Sequence, residues 1–222
     1  MSFGRNLQYF RKLGGNMTQE ALAEKLGVSR QTVSKWEMDA ANPEMDKALE
    51  ICKIFTCSLD NLFRDEMDKQ SDSCSKLRLE EVPGFRYVEH TVISTAPEDD
   101  AIGRIYKCAK ENGIEAPRVI GWDFPNLSQE QINVFNMHGY TAALILPDGV
   151  NPSGYQVKEQ PAHTYAAIHV DRPFDNPFVT IPGAYHTLGD FMRTNGLVQV
   201  KEGVIPCFET DGGSMDIYIA CM

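Results

Sequence analysis

Residues 18–37 read TQEALAEKLGVSRQTVSKWE, which is the local grammar of two short helices joined by a tight turn. Thr18 is placed to cap the first helix, since its hydroxyl can accept an otherwise orphaned backbone N–H, and Glu20 sits in the first turn near the positive helix end. Ala21, Leu22 and Leu26 give that helix an apolar side, Gly27 ends it, and Ser29 caps the next. On the second helix, at about 100° per residue from Arg30, the residues Arg30, Ser34, Gln31 and Lys35 fall near ~0°, ~40°, ~100° and ~140°. Val33 and Trp36 fall opposite, near ~300° and ~240°. One helix thus carries a polar stripe on one face and apolar anchors on the other.

A DNA major groove suits that stripe. Arg can fork onto guanine, Gln onto adenine, and Lys onto guanine or phosphate. The helix N-termini at Thr18 and Ser29 add backbone N–H groups for phosphate. Further on, Asn42-Pro43 reads as a cap and first helical residue, with Met45, Leu49, Cys52 and Phe55 as the core face of the next helix. A polar stripe taken alone is equally a solvated helix face, so the functional reading rests on caps, turn and anchors occurring together.

The 222 residues carry a net charge of −10, which by itself argues against nucleic acid. The charge is uneven. Residues 1–67 hold nine Lys/Arg against ten Asp/Glu, whereas residues 76–222 hold eleven against nineteen. A near-neutral head binds DNA through clustered cations, specific contacts and dimerisation rather than through overall charge. No apolar run approaches a membrane span and the first residues lack a secretory apolar stretch, so a cytoplasmic location and no membrane partner are expected. Six cysteines without a CxxC pair or metal spacing read as reduced thiols. The five histidines show no i,i+4 pairing, and there is neither a nucleophile elbow nor a Gly-rich phosphate loop. No metal, cofactor or catalytic residue is expected.

Residues 1–66 therefore read as the helical head, 67–81 as a polar Ser/Asp-rich linker, and 82–222 as a second domain. That domain contains a weak internal repeat of strand, helix, strand, strand. Its two helices, around Ala101–Asn112 and Ala184–Asn195, close on matching stops, Asn112-Gly113-Ile114 and Asn195-Gly196-Leu197. Asn-Gly supplies a left-handed cap and the next apolar residue packs back on the helix. A duplicated βαββ unit with a groove between its halves is the expected result.

The N-terminal residues resemble the XRE/phage-repressor class of helix-turn-helix proteins. The likeness covers about residues 3–63, from Asn6-Leu7 and Arg11-Lys12 through Trp36-Glu37 and Asn42-Pro43 to Ser58–Phe63. It implies an all-α, lambda-repressor-like bundle in which Gln19 touches a phosphate and Arg30, Gln31, Ser34 and Lys35 face bases or backbone. From Val82 onward, RVIGWDF, PAHTYAAIHV, AYHTLGDFMRTNGL, PCFE and DIYIACM resemble the GyrI-like effector-binding domains. That resemblance implies an α+β duplicated βαββ fold with an aromatic-lined ligand groove around a glutamate, here Glu209. Two positions depart from it: Asp211 stands where a Tyr is common, and the closing strand ends in Ala220-Cys221.

The residues themselves point to Glu209 as well. It follows the apolar IPCF, and a carboxylate among aromatics needs a cation or a donor. With Trp122, Tyr140, Tyr165 and Tyr218 around it, the site would suit a flat apolar cation. The plainer alternative leaves Glu209 exposed and those aromatics as ordinary core. Three functions follow: a homodimeric regulator whose small-molecule effector modulates binding to a double-stranded DNA operator; a hydrolase in which Glu209 activates water beside Trp122; and a gyrase-inhibitor-like protein-interaction module. Fusion to a DNA-binding head favours the first.

Overall fold

A computed structural model describes residues 3–13, 17–64 and 74–222, without the side chains of 74 and 75. In chain order the first helices are α1 (Phe3–Leu13), α2 (Gln19–Leu26), α3 (Arg30–Glu37), α4 (Met45–Phe55) and α5 (Leu59–Phe63). Then follow β1 (Cys74–Val82), β2 (Phe85–Ser94), α6 (Pro97–Glu111), β3 (Arg118–Asp123), α7 (Gln129–Asn133) and β4 (His138–Ile145). The remainder is β5 (Lys158–Gln160), β6 (His163–Val170), α8 (Pro177–Thr194), β7 (Cys207–Thr210) and β8 (Met215–Ala220). These elements form two compact units: Met1–Leu77 with Pro173–Val198 and Cys221–Met222, and Arg78–Arg172 with Gln199–Ala220.

In the first unit the expected caps are in place. The Thr18 hydroxyl accepts from Ala21 N and the Ser29 hydroxyl from Thr32 N, each at 3.1 Å. Gly27 closes α2 at φ 63°, a left-handed conformation that glycine adopts without steric cost. Val33 and Trp36 are buried with Leu7, Phe10, Leu22, Leu26, Ile51, Phe55 and Leu62. α1 crosses the end of α3 so closely that a Cβ on Gly4 would lie 2.5 Å from the Glu37 carbonyl oxygen.

Two expectations about α4 are corrected. Its N-cap is Glu44 rather than Asn42, and the buried residues are Ala48, Ile51 and Phe55. Met45 and Leu49 are exposed and Cys52 is half-buried. Both stripes have helical spacing. The one containing small Ala48 allows the closer approach of neighbouring helices, and only packing makes that choice.

α8 belongs to the same unit, so the compact units divide the chain differently from boundaries at 66 and 82. Its last turn supplies donors to helix-end carbonyls that lack intrahelical partners. Arg193 Nε donates to Thr56 O at 3.1 Å, Thr194 Oγ1 to Phe55 O at 3.0 Å and Asn195 Nδ2 to Leu13 O at 3.2 Å. The helix begins at Pro177, earlier than expected, and holds Pro182 inside. The expected linker is also shorter than 67–81, because β1 occupies Cys74–Val82. Residues 65–73 lie outside the described ones.

The second unit is built on an eight-stranded sheet ordered β1-β6-β8-β7-β3-β4-β2-β5. Split at β7–β3, this order reads the same outward in both directions: β3-β4-β2 answers β7-β8-β6. In chain order β2-α6-β3-β4 and β6-α8-β7-β8 both run strand, helix, strand, strand, the duplicated βαββ expected, although α8 falls in the first compact unit. The repeat extends to single bonds. Asn112 Nδ2 donates to Cys108 O at 2.9 Å and Asn195 Nδ2 to Phe191 O at 2.8 Å. Gly113 and Gly196 share a φ of 68°. Ile114 N and Leu197 N then bond back to Ala109 O and Met192 O, both at 2.9 Å.

Strand side chains alternate between faces. One face packs Val88, Val119, Tyr140, Ala142 and Leu144 against Ala101, Ile105, Cys108 and Ala109 of α6. The other carries Tyr87, Ile120, Ala143, Tyr165, Phe208 and Tyr218, with Trp122 packed against them. No described helix is long and apolar enough to cross a membrane.

Candidate functional site

In the first unit, Gln19, Arg30, Gln31, Ser34, Lys35 and Met38 line one groove of about 300 Å³. Arg30, Gln31 and Lys35 are exposed while Ser34 is half-buried. Thr18 and Ser29 cap the two helix starts that flank this surface. Exposed Met38 was absent from the sequence reading, although it follows α3 directly and its thioether could meet a thymine methyl.

Beneath the groove, Glu37 fixes the relation of three helices. Its side chain is 3% exposed and takes a two-pronged bond from Arg11, at 2.5 Å from Nε and 3.0 Å from Nη2. Arg11 Nη1 also donates to Met17 O at 2.6 Å. Gln19 Nε2 donates to the same carboxylate at 2.8 Å. Gln19, expected as a phosphate contact, is therefore also a strut between α2 and α3. Residues so far apart in sequence give no local signal of this network.

In the second unit, Glu209 on β7 lies opposite Gly121 on β3 and Ile217 on β8. Tyr140 on β4 reaches across β3 at that glycine: a Cβ on Gly121 would sit 2.1 Å from the Tyr140 hydroxyl oxygen. Tyr140 is only 8% exposed, and its phenol makes no hydrogen bond among the described residues. Burial first, then the carboxylates of Glu209, Glu98, Asp123 and Asp211, hold that phenol far above the usual tyrosine range. Glu98, in the first turn of α6, is itself raised by burial and by Asp99, Asp123 and Asp211. The Cys207 thiol is pushed up by burial and then by Glu209 and Asp123. Tyr106 Oη donates to Asp211 Oδ2 at 2.6 Å, a bond that pushes Tyr106 up to about 12.

The expected aromatic set does not converge. Only Tyr140 shares the face of Glu209. Phe208 precedes Glu209 on the strand and so points to the other face, where Trp122, Tyr165 and Tyr218 pack around it. Phe208 stacks on Tyr218 at 4.6 Å between centroids, and Tyr165 meets it edge-on at 5.2 Å. Tyr165 is fully buried and donates to Ile205 O at 2.9 Å, a structural role. Sequence adjacency put these aromatics near Glu209, whereas the period-two alternation of a strand separates them. Gly121 was overlooked despite a usable signal, since a glycine inside a strand pattern marks close approach. Among the described residues, no three His, Cys, Asp or Glu are grouped to hold a metal ion.

A helix-turn-helix family model matches residues 7–62. The uncharacterized HTH-type transcriptional regulator MJ0272 of Methanocaldococcus jannaschii is 43% identical over 63 residues, 28% of this chain and 94% of that one. The HTH-type transcriptional activator BcrR of Enterococcus faecalis is 44% identical over 66 residues, 30% of this chain but only 32% of its own length. Among solved structures, EcmrR in a cryo-EM EcmrR–DNA complex is 17% identical, with 89% of this chain and 79% of that chain covered and a TM-score of 0.49. With its capped helix pair, its exposed polar stripe and a relative matched along almost its whole length, the chain belongs to the helix-turn-helix family of DNA-binding transcriptional regulators.

Proposed function

We propose that the protein is a one-component regulator, acting as a homodimer on a two-fold DNA operator and tuned by a small apolar cation. In this reading residues 1–66 are the DNA-binding domain and the duplicated region within 82–222 is the effector domain. Arg30 and Gln31 read bases; Gln19, Ser34 and Lys35 contact bases or backbone; the helix starts at Thr18 and Ser29 face phosphates. Operators of this motif are two-fold symmetric, and a near-neutral head has few cations to hold DNA alone.

The observation that carries the effector half is the Tyr140 phenol lying over Gly121 beside Glu209, with three more carboxylates acting on it. Gathered carboxylates repel one another, and a cation entering among them relieves that repulsion. The aromatic ring adds attraction for an apolar cation. Glu209 and Tyr140 are the retained members of the ligand set. Trp122, Tyr165 and Tyr218 leave it for the opposite face. Such an effector alters transcription only through a different affinity for the DNA-competent and DNA-incompetent arrangements.

Calorimetric titration of the full chain with tetraphenylphosphonium, against neutral triphenylphosphine oxide, tests this. The cation should bind more tightly than the neutral compound, and Glu209→Gln should weaken the cation roughly tenfold or more while leaving the neutral compound unchanged. Equal binding of both compounds to the wild type, or no binding of the cation, rules the reading out.

A further inference from the structure

The sheet face opposite Glu209 carries a cavity of about 290 Å³ with an apolar floor that includes Phe85, Ile145 and Phe208. A second hollow of about 430 Å³ shares Phe85, Ile145 and Arg118 with it, so the two meet at these residues. All of them belong to the second unit. Arg118 pairs with Ile145 across β3 and β4 and stands on the same face as Ile120 and Trp122. We propose that this cavity is a second small-molecule site, distinct from that of Glu209, for an apolar monocarboxylate anchored on Arg118.

In the first cavity, Glu80 accepts Arg78 Nε at 2.7 Å and Tyr218 Oη at 3.3 Å. Asp211 accepts Tyr106 Oη at 2.6 Å. Arg118 is exposed, and its guanidinium makes no hydrogen bond or ion pair among the described residues. It is therefore the cavity's cationic group without an internal partner, and it sits where the apolar floor begins. A guanidinium forks onto a carboxylate with two parallel N–H bonds, and an adjoining apolar surface strengthens that pair by excluding water. Asp148 and Glu159 line the second hollow together with Arg86, which donates to Asn151, so the hollow's two carboxylates offset its two guanidinium groups and it offers no net positive charge to a second anionic group. The cavity volume lies near the lower end of small-molecule sites, at roughly 300 Å³, and so suits one ring system.

Three indoles with one body and three charges separate the possibilities: indole-3-acetate, neutral indole-3-acetamide and cationic tryptamine. Titrated into the full chain and followed by calorimetry, indole-3-acetate should bind roughly tenfold or more tightly than either of the others. Arg118→Gln, a change at an exposed position, should remove that preference, whereas Glu209→Gln should leave it intact. Absence of acetate binding up to about 10 mM overturns the proposal. So does an acid-to-amide ratio unchanged in Arg118→Gln, or a loss of acetate binding in Glu209→Gln.

Discussion

The DNA-facing helix and the Glu209 surface are both polar faces backed by apolar core, yet they are assembled in different ways. On α3 the groups that matter are one, four and five residues apart, so the 3.6-residue period alone places them together. Around Glu209 the groups come from α6, β3, β4 and β7, and their meeting depends on a glycine that lets a tyrosine cross a strand. A locally assembled surface tolerates replacement of one member. A surface assembled from distant segments is coupled to the packing that brings it together.

The largest expected effect is on the core that backs the first surface. Trp36→Ala should destabilise the head by about 3–5 kcal/mol, because Trp36 is buried among the helices. Denaturant unfolding checks it, and an unchanged midpoint would break the assignment of inner and outer faces on α3.

Next come the outer residues. Arg30→Ala and Gln31→Ala should each lose about 1–3 kcal/mol of affinity for an operator selected from random duplex DNA, with no change in unfolding. Since both are exposed, a loss of stability instead of affinity would show that α3 is as coupled to packing as the Glu209 surface.

The smallest effect concerns pH and sharpens the other side of the comparison. Glu98 is raised by burial and by neighbouring carboxylates, so the folded state holds its proton more tightly than the unfolded chain does. An acid with a raised folded value favours folding while protonated and withdraws that support as pH rises past its unfolded value. Glu98→Gln should therefore gain melting temperature relative to wild type between about pH 4 and pH 7, the gain growing with pH. A difference that is flat across this range would mean that the carboxylates around Tyr140 do not act on Glu98.

Much of the molecule was legible from local patterns. Thr18 and Ser29 as caps, Gly27 as the turn, the stripe opposite Val33 and Trp36, and the twin Asn-Gly stops each depend on a few consecutive residues. The duplicated βαββ order followed from repeating such patterns. Tertiary structure decided the rest. It turned α4 onto Ala48 and Ile51 rather than Met45 and Leu49, since two stripes had equal periodicity and packing chose the smaller side chain. It grouped α8 with the head helices, whose end carbonyls Arg193, Thr194 and Asn195 satisfy. It sent Trp122, Tyr165 and Tyr218 to the face of Phe208 and kept Tyr140 with Glu209, because the register between strands decides which alternating positions share a face. Local sequence sets which backbone shape each segment prefers, but side chains from distant segments become neighbours only through the pairing of whole elements.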